Sequence, residues 1–113
     1  MMILATTETV AGFEVKQTMG LVRGSSIRAR HVGQDIMATL RNLAGGELYE
    51  YTKLLAEARE QAIDRMLEEA ETVGADAIVA VRFQTSMIMQ GAAEMLCYGT
   101  AVNTAPVEGD EAP

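Results

Sequence analysis

Apolar and polar residues alternate along Phe13-Glu14-Val15-Lys16-Gln17-Thr18, the period-two pattern of a strand with one buried face. The strand pattern continues through Met19, Leu21 and Val22, with Gly20 and Gly24 interrupting it. A glycine inside a strand marks a bulge or a place where another backbone comes close. Ahead of it, residues 2–7 read as a short strand closed by a turn at Ala11-Gly12. Over about residues 32–43 the apolar positions Ile36, Met37, Leu40 and Leu43 predict a short helix, ended by Gly45-Gly46. A longer helix is predicted over about residues 48–73. There Tyr51, Leu55, Ala58, Ala62, Met66, Ala70 and Val73 form one stripe, and Lys53, Glu57, Glu60, Asp64, Glu68 and Glu71 lie opposite. Gly74 is its natural stop.

The next run, Ala77-Ile78-Val79-Ala80-Val81-Arg82-Phe83, is of strand type. It extends to about Met89, turns near Gln90-Gly91-Ala92 and returns from Glu94 to Val102. Strands on both sides of a central helical segment, without βαβ alternation, predict a two-layer α+β domain. In that domain an antiparallel sheet is packed by one long helix plus a short helix. The domain is expected to span residues 1–104. The polar tail of residues 105–113 holds Glu108, Asp110, Glu111 and both prolines, a composition that predicts disorder.

Composition changes this picture in one respect. The chain is 49% hydrophobic but only 4% aromatic, with no Trp and eight Met, so its core must be aliphatic and methionine-rich. A small core of that kind gains stability by self-association, and a homo-oligomer is expected. Charge is unevenly placed: residues 1–46 hold five basic residues against three acidic, and residues 47–73 hold three against eight. Such segregation suits head-to-tail contacts between a basic edge and an acidic neighbour, although a solvated helix face is the simpler use of the acids. With a net charge of −7, the chain is repelled by phosphate backbones, so nucleic acid is not an expected partner. No run approaches the roughly 20 apolar residues of a membrane span, and the apolar start Met1-Met2-Ile3-Leu4-Ala5 lacks the basic flank of a secretory leader. Cys97 is the single cysteine, which excludes an intramolecular disulfide and agrees with a reducing, cytoplasmic setting.

The order of local motifs resembles a known family. Thr6-Thr7, Gly12, Gly20-Leu21-Val22-Arg23-Gly24 and Arg41-Asn42-Leu43-Ala44-Gly45-Gly46 come first. Tyr49-Glu50, Gly74-Ala75-Asp76-Ala77-Ile78-Val79 and Gly99-Thr100-Ala101-Val102 follow. Over about residues 3–103 this succession resembles the YbjQ-like family, small bacterial proteins catalogued as uncharacterised and as "putative heavy-metal-binding". The resemblance implies a dodecin-like two-layer subunit and a homopentameric ring, with a metal or small ligand as the expected cofactor class. The chain departs from the family at Ala92-Ala93-Glu94, where members carry a Met-Leu-Met-type run, and at Leu96 and Tyr98, where small polar residues are usual.

One constellation carries candidate chemistry. Met87 and Met89 are two apart on the outgoing strand, and Met95 and Cys97 two apart on the returning one. If Met89 pairs with Met95, Met87 lies opposite Cys97 and four sulfurs share one patch. Thioether and thiolate donors suit Cu(I); a one-residue slip would separate the pairs. Packing into a core or subunit interface is the simpler role for these residues. A zinc site lacks ligands, with one Cys and one His (His31) in the chain. Cys97 has no sequence neighbour that would lower its pKa, so it reads as inert. The glycines match neither a P-loop nor a dinucleotide fingerprint. Asp76 reads as a packing or capping residue at the helix-to-strand junction, and Arg23, Arg28, Arg30 and Arg41 as a rim for subunit contact. No acid, base and nucleophile converge, so the expectation is a non-enzymatic protein.

Overall fold

The computed structural model describes residues 1–29, 46–89 and 92–107. Within them the chain forms β1 (Ile3–Leu4), β2 (Phe13–Ala29), α1 (Gly46–Thr72), β3 (Ala77–Met89) and β4 (Ala92–Pro106). The four strands make one sheet in the order β1-β3-β4-β2. The expected short helix at 32–43, His31, Arg30, Arg41 and residues 108–113 lie outside the described residues.

The fold is α+β, with one long helix against a four-stranded sheet among the described residues. The sheet is mixed, not wholly antiparallel as expected: β1 runs parallel to β3, pairing Ile3 with Ala77 and Leu4 with Ile78. β1 holds only two residues, too few for alternation to betray its direction. Its neighbours extend the parallel contact, since Ala5 N–H donates to Ile78 O at 2.9 Å and Val81 N–H to Ala5 O at 3.0 Å. β4 also runs to Pro106, which pairs with Phe13, two residues past the expected domain end.

α1 crosses the sheet on the stripe read from the sequence. Ala58, Ala62, Met66 and Ala70 are buried, while Leu55 and Val73 at its ends are exposed. The small residues let the helix backbone approach β2 closely. At Gly24 an added Cβ would meet Ala62 O at 2.2 Å and Met66 N at 2.4 Å, so the glycine marks a near contact between backbones. Gly20 has the other strand-glycine role. It has φ +118° and follows the register shift between Thr18 and Gly20, which is a bulge.

The helix stops as expected. Gly74 has φ +78°, Gly74 N–H donates to Glu71 O at 3.0 Å, and Ala75 N–H donates to Ala70 O at 3.1 Å. That pair of bonds is the Schellman arrangement, for which glycine has no Cβ penalty. Asp76 follows directly and has the packing role read from the sequence. Its carboxylate accepts from Thr104 N–H at 3.0 Å and from Thr104 Oγ1 at 3.2 Å, and its own carbonyl accepts from Ile3 N–H at 3.1 Å. One residue thus ties β1, β3 and β4 together where the helix ends.

The main core lies between α1 and the sheet, on Val22, Ala62, Met66, Ala70, Ile78, Val81, Cys97 and Ala101. A smaller core on the other face joins Ala77, Val79 and Val102 to Ile3 and Val10. It covers one end of that face only. The expected half-buried face of β2 is therefore not buried in the subunit along its whole length: Phe13, Val15, Leu21 and Ile27 all remain exposed.

Candidate functional site

The sulfur atoms meet beneath the helix. β4 places Met95 and Cys97 two residues apart, and the pairs Met95–Ser26 and Cys97–Gly24 put them under α1. From above, α1 contributes Met66. Cys97 Sγ donates to Met66 Sδ at 3.5 Å, and both residues are fully buried. Met95 Sδ accepts from Thr85 Oγ1 at 3.3 Å. Beside this cluster Ser26, also fully buried, donates to Gln61 Oε1 at 2.7 Å, so the polar atom costs little desolvation.

Burial pushes the Cys97 thiol above its ordinary value of 9.0, because the apolar surroundings disfavour a thiolate. The group is a neutral thiol at pH 7, and it lacks the reactivity of a nucleophilic cysteine. An aromatic disulfide reagent is expected to label Cys97 only as fast as the fold opens, and to label it at once in denaturant. Rapid labelling of the native protein would show that the cysteine is not buried.

The hairpin register differs from the one that would gather Met87, Met89, Met95 and Cys97 into facing pairs. Met89 aligns with Ala92, Met87 with Ala93, Thr85 with Met95 and Phe83 with Cys97. Only Gln90 and Gly91 separate the paired ends, and the register shifts between Met87 and Met89. A shorter connection draws the strands together nearer the tip, so Met95 meets Thr85, four residues before Met89. Pairing keeps Met87, Met95 and Cys97 on the helix side of the sheet. Met87 lies far out, 52% exposed, whereas Cys97 is in the core. The side chain of Met89 lies outside the described residues. The partner that sequence reasoning missed is Met66. Its place in the apolar stripe of α1 marked it as buried, but not as neighbour to a strand residue 31 positions away.

Two surface features flank the core. A nearly wholly apolar cleft of about 140 Å³ is lined by Leu4, Ala5, Thr6, Ile63, Met66, Val81 and Phe83. A groove of about 460 Å³ runs along α1 past Lys53, Ala56, Glu57, Glu60, Gln61 and Asp64. Among the described residues, no three or more His, Cys, Asp or Glu side chains converge as a metal site would require. Two cationic residues serve the fold. Arg82 donates to Thr6 O at 2.8 Å and to Val81 O at 2.9 Å, and Arg65 donates to Ser25 O at 2.5 Å. The side chain of Arg28 is outside the described residues. No described helix is long and apolar enough to cross a membrane.

Comparison with known proteins identifies the family. A family model described as "Putative heavy-metal-binding" (YbjQ) matches residues 2–105. A UPF0145 protein of Methanosarcina acetivorans is 63% identical over 101 residues, covering 89% of this chain and 95% of the relative. One of Thermus thermophilus is 54% identical over 104 residues, covering 92% and 91%. The relatives are thus archaeal as well as bacterial, which widens the bacterial range expected from the sequence. A crystal structure of a protein of unknown function from Pediococcus pentosaceus, placed in the DUF74 family, superposes with a TM-score of 0.58 at 16% identity. It covers 92% of this chain and 98% of its own, and it supports the fold alone. By the model match across nearly its whole length and by relatives of this similarity, the chain belongs to the YbjQ-like UPF0145 family.

Proposed function

We propose that this chain is the subunit of a cytoplasmic, non-enzymatic homo-oligomeric ring, a pentamer, that presents a pore or inter-subunit pocket to a metal or small ligand. The observation that carries the reading is the sheet face turned away from α1. Leu21 is 63% exposed and Ile27 61%, and Phe13 and Val15 continue the same apolar line on β2. Antiparallel sheets present polar residues on a solvated face. An apolar line of this length on a small domain is the mark of a surface that another molecule covers. The pentameric number comes from the family resemblance, and the non-enzymatic part of the reading is supported only in that Cys97, buried and neutral, is no thiol nucleophile. Native mass spectrometry is expected to give five times the chain mass of 12.2 kDa. Monomer alone at micromolar concentration would sink the reading.

A second reading is favoured by the contact between Cys97 and Met66. The family description names heavy metals, and the donors that fit are soft: Cys97 Sγ and Met66 Sδ at 3.5 Å, with Met95 two residues from Cys97 on the same strand face. Thiolate and thioether ligands favour Cu(I) over harder ions, and metal binding would displace the thiol proton. Met87, nearer the hairpin tip and half exposed, would join the donor set only if the tip of the hairpin moved inward; Met89 completes the set expected from the sequence. The same mass spectrometry on protein loaded with Cu(I) decides between packing and binding. Equal metal content in wild type, Cys97→Ser and Met66→Leu would end the metal reading.

A further inference from the structure

We propose that residues 83–89 of β3 form an open edge that takes up a strand from a second copy of this chain, residues 13–19 of its β2, so that the sheet runs on from subunit to subunit. The proposal rests on the ring reading and specifies the contact that builds the ring.

The edge follows from the order of the strands. β3 is covered by β1 at Ala77 and Ile78, and by the segment after β1 at Ala80 and Val81, which donate to Thr7 O and Ala5 O. Beyond Val81, no described segment lies along it. Val81 N–H points to the β1 side, and strand alternation then turns the N–H and C=O of Phe83, Thr85 and Met87 the same way. The far side of the sheet gives the same phase. Arg23 N–H and Ser25 C=O on β2 point away from β4, toward side chains of α1. Their pairing with Tyr98 and Leu96 turns those two β4 residues toward Arg82 and Gln84 of β3. The residues between and beyond, Phe83, Thr85 and Met87, face outward.

The two edges of the sheet are treated differently. On β2, Arg23 N–H is taken by Glu69 Oε1 at 3.2 Å and Ser25 O by Arg65 at 2.5 Å. Side chains from α1 thus occupy the backbone groups an incoming strand would need, a protection proteins use against edge pairing. On β3 no such cap exists among the described residues. Residues 83–89 include no charge and no proline, and Phe83 is 46% exposed. A long, uncharged edge of this kind invites association unless it is covered.

The occupant is another copy because the chain itself carries the complementary edge. Residues 13–19 of β2 lie at the opposite end of the sheet order, away from the capped stretch at 23–25, and they expose Phe13 and Val15. Head-to-tail pairing covers both edges at one partner each and repeats around a closed ring, whereas β3 pairing with β3 across a two-fold axis would stop at a dimer.

Amide hydrogen exchange on the assembled wild-type protein tests this directly. Phe83, Thr85 and Met87 amides are expected to exchange on the order of 100-fold more slowly in the assembly than in a dissociated variant. Two variants supply that state: Thr85→Pro, which removes an outward N–H without touching the β4 ladder, and Met87→Lys, which charges the edge. Both are expected to run as folded monomers with an unchanged far-UV circular dichroism spectrum. Thr85→Cys combined with Gln17→Cys is expected to form cross-linked ladders. Fast exchange of the three amides within an assembled wild-type protein would overturn the proposal. So would assembly that survives both variants, and the ring reading would stand in either case; cross-linked dimers from Thr85→Cys alone would put a two-fold dimer in place of the ring. A monomeric wild type would overturn both.

Discussion

Gly24→Ala is expected to lower the melting temperature by on the order of 10 °C, or to prevent folding at 37 °C. The new Cβ would sit 2.2 Å from Ala62 O, 2.4 Å from Met66 N and 2.9 Å from Arg65 Cβ. Two of those three atoms are helix backbone and cannot turn aside as the tip of a long side chain would. The helix must lift from β2, and with it go the contacts Ser26–Gln61 and Arg65–Ser25. Overpacking of a tight core costs about 1–3 kcal/mol, and more where backbone must move. At about 4 °C per kcal/mol for a domain of this size, the upper end corresponds to the shift given. Gly20→Ala is the comparison: nothing lies within 4 Å of its added Cβ, and only the φ of +118° opposes it. Thermal melts monitored by circular dichroism should therefore rank Gly24→Ala well below Gly20→Ala. Equal losses would mean that close approach of the helix is not what selects glycine at 24.

Truncating Met66 to alanine should cost about 2–5 kcal/mol, whereas Met66→Leu should cost under about 1.5 kcal/mol. Met66 is fully buried and is the largest side chain in the core. It packs among Val22, Ile78, Val81, Cys97 and Ala101 and lines the apolar cleft. Alanine would open a cavity between helix and sheet that these neighbours cannot fill. Leucine nearly keeps the volume and removes only the sulfur, so the pair of variants separates packing from the contact with Cys97. Urea titrations at one fixed protein concentration read the difference, since any assembly couples stability to concentration. If Met66→Leu proved as damaging as Met66→Ala, the thioether itself would be holding the site. A Met66→Ala protein as stable as wild type would show that α1 does not seat on this residue.

Much of the fold was legible in the residues, and the reasons differ by element. α1 was readable because twenty-seven residues give a 3.6-residue period ample room to repeat, and Gly74 announced its end. β3 and β4 were readable as a hairpin from β-branched runs on either side of Gln90-Gly91. β1 was readable as a strand but not in direction, for two residues carry no orientation. The register of the hairpin was legible only to within a few residues, since the apolar run Met87-Ile88-Met89 and the pair Ala92-Ala93 break the alternation near its tip and little binds one pairing over another. That uncertainty decided the sulfur site. Met95 met Thr85 and Cys97 met Phe83, and a helix residue supplied the thioether that lies against the thiol.

What the sequence by itself determined is the inventory of the described elements, their order and their punctuation, together with the family. Periodicity and glycine chemistry act over a few residues at a time, and they can be read from a single chain. The tertiary structure decided what those elements mean to one another. It turned β1 parallel, brought Met66 to Cys97, laid α1 on Gly24 and capped one edge of the sheet with Arg65 and Glu69 while leaving the other without a cap among the described residues. Each of these joins residues far apart in the chain, where no local pattern selects the partner. Only packing in three dimensions, with backbone groups that must be paired or left open, makes that selection.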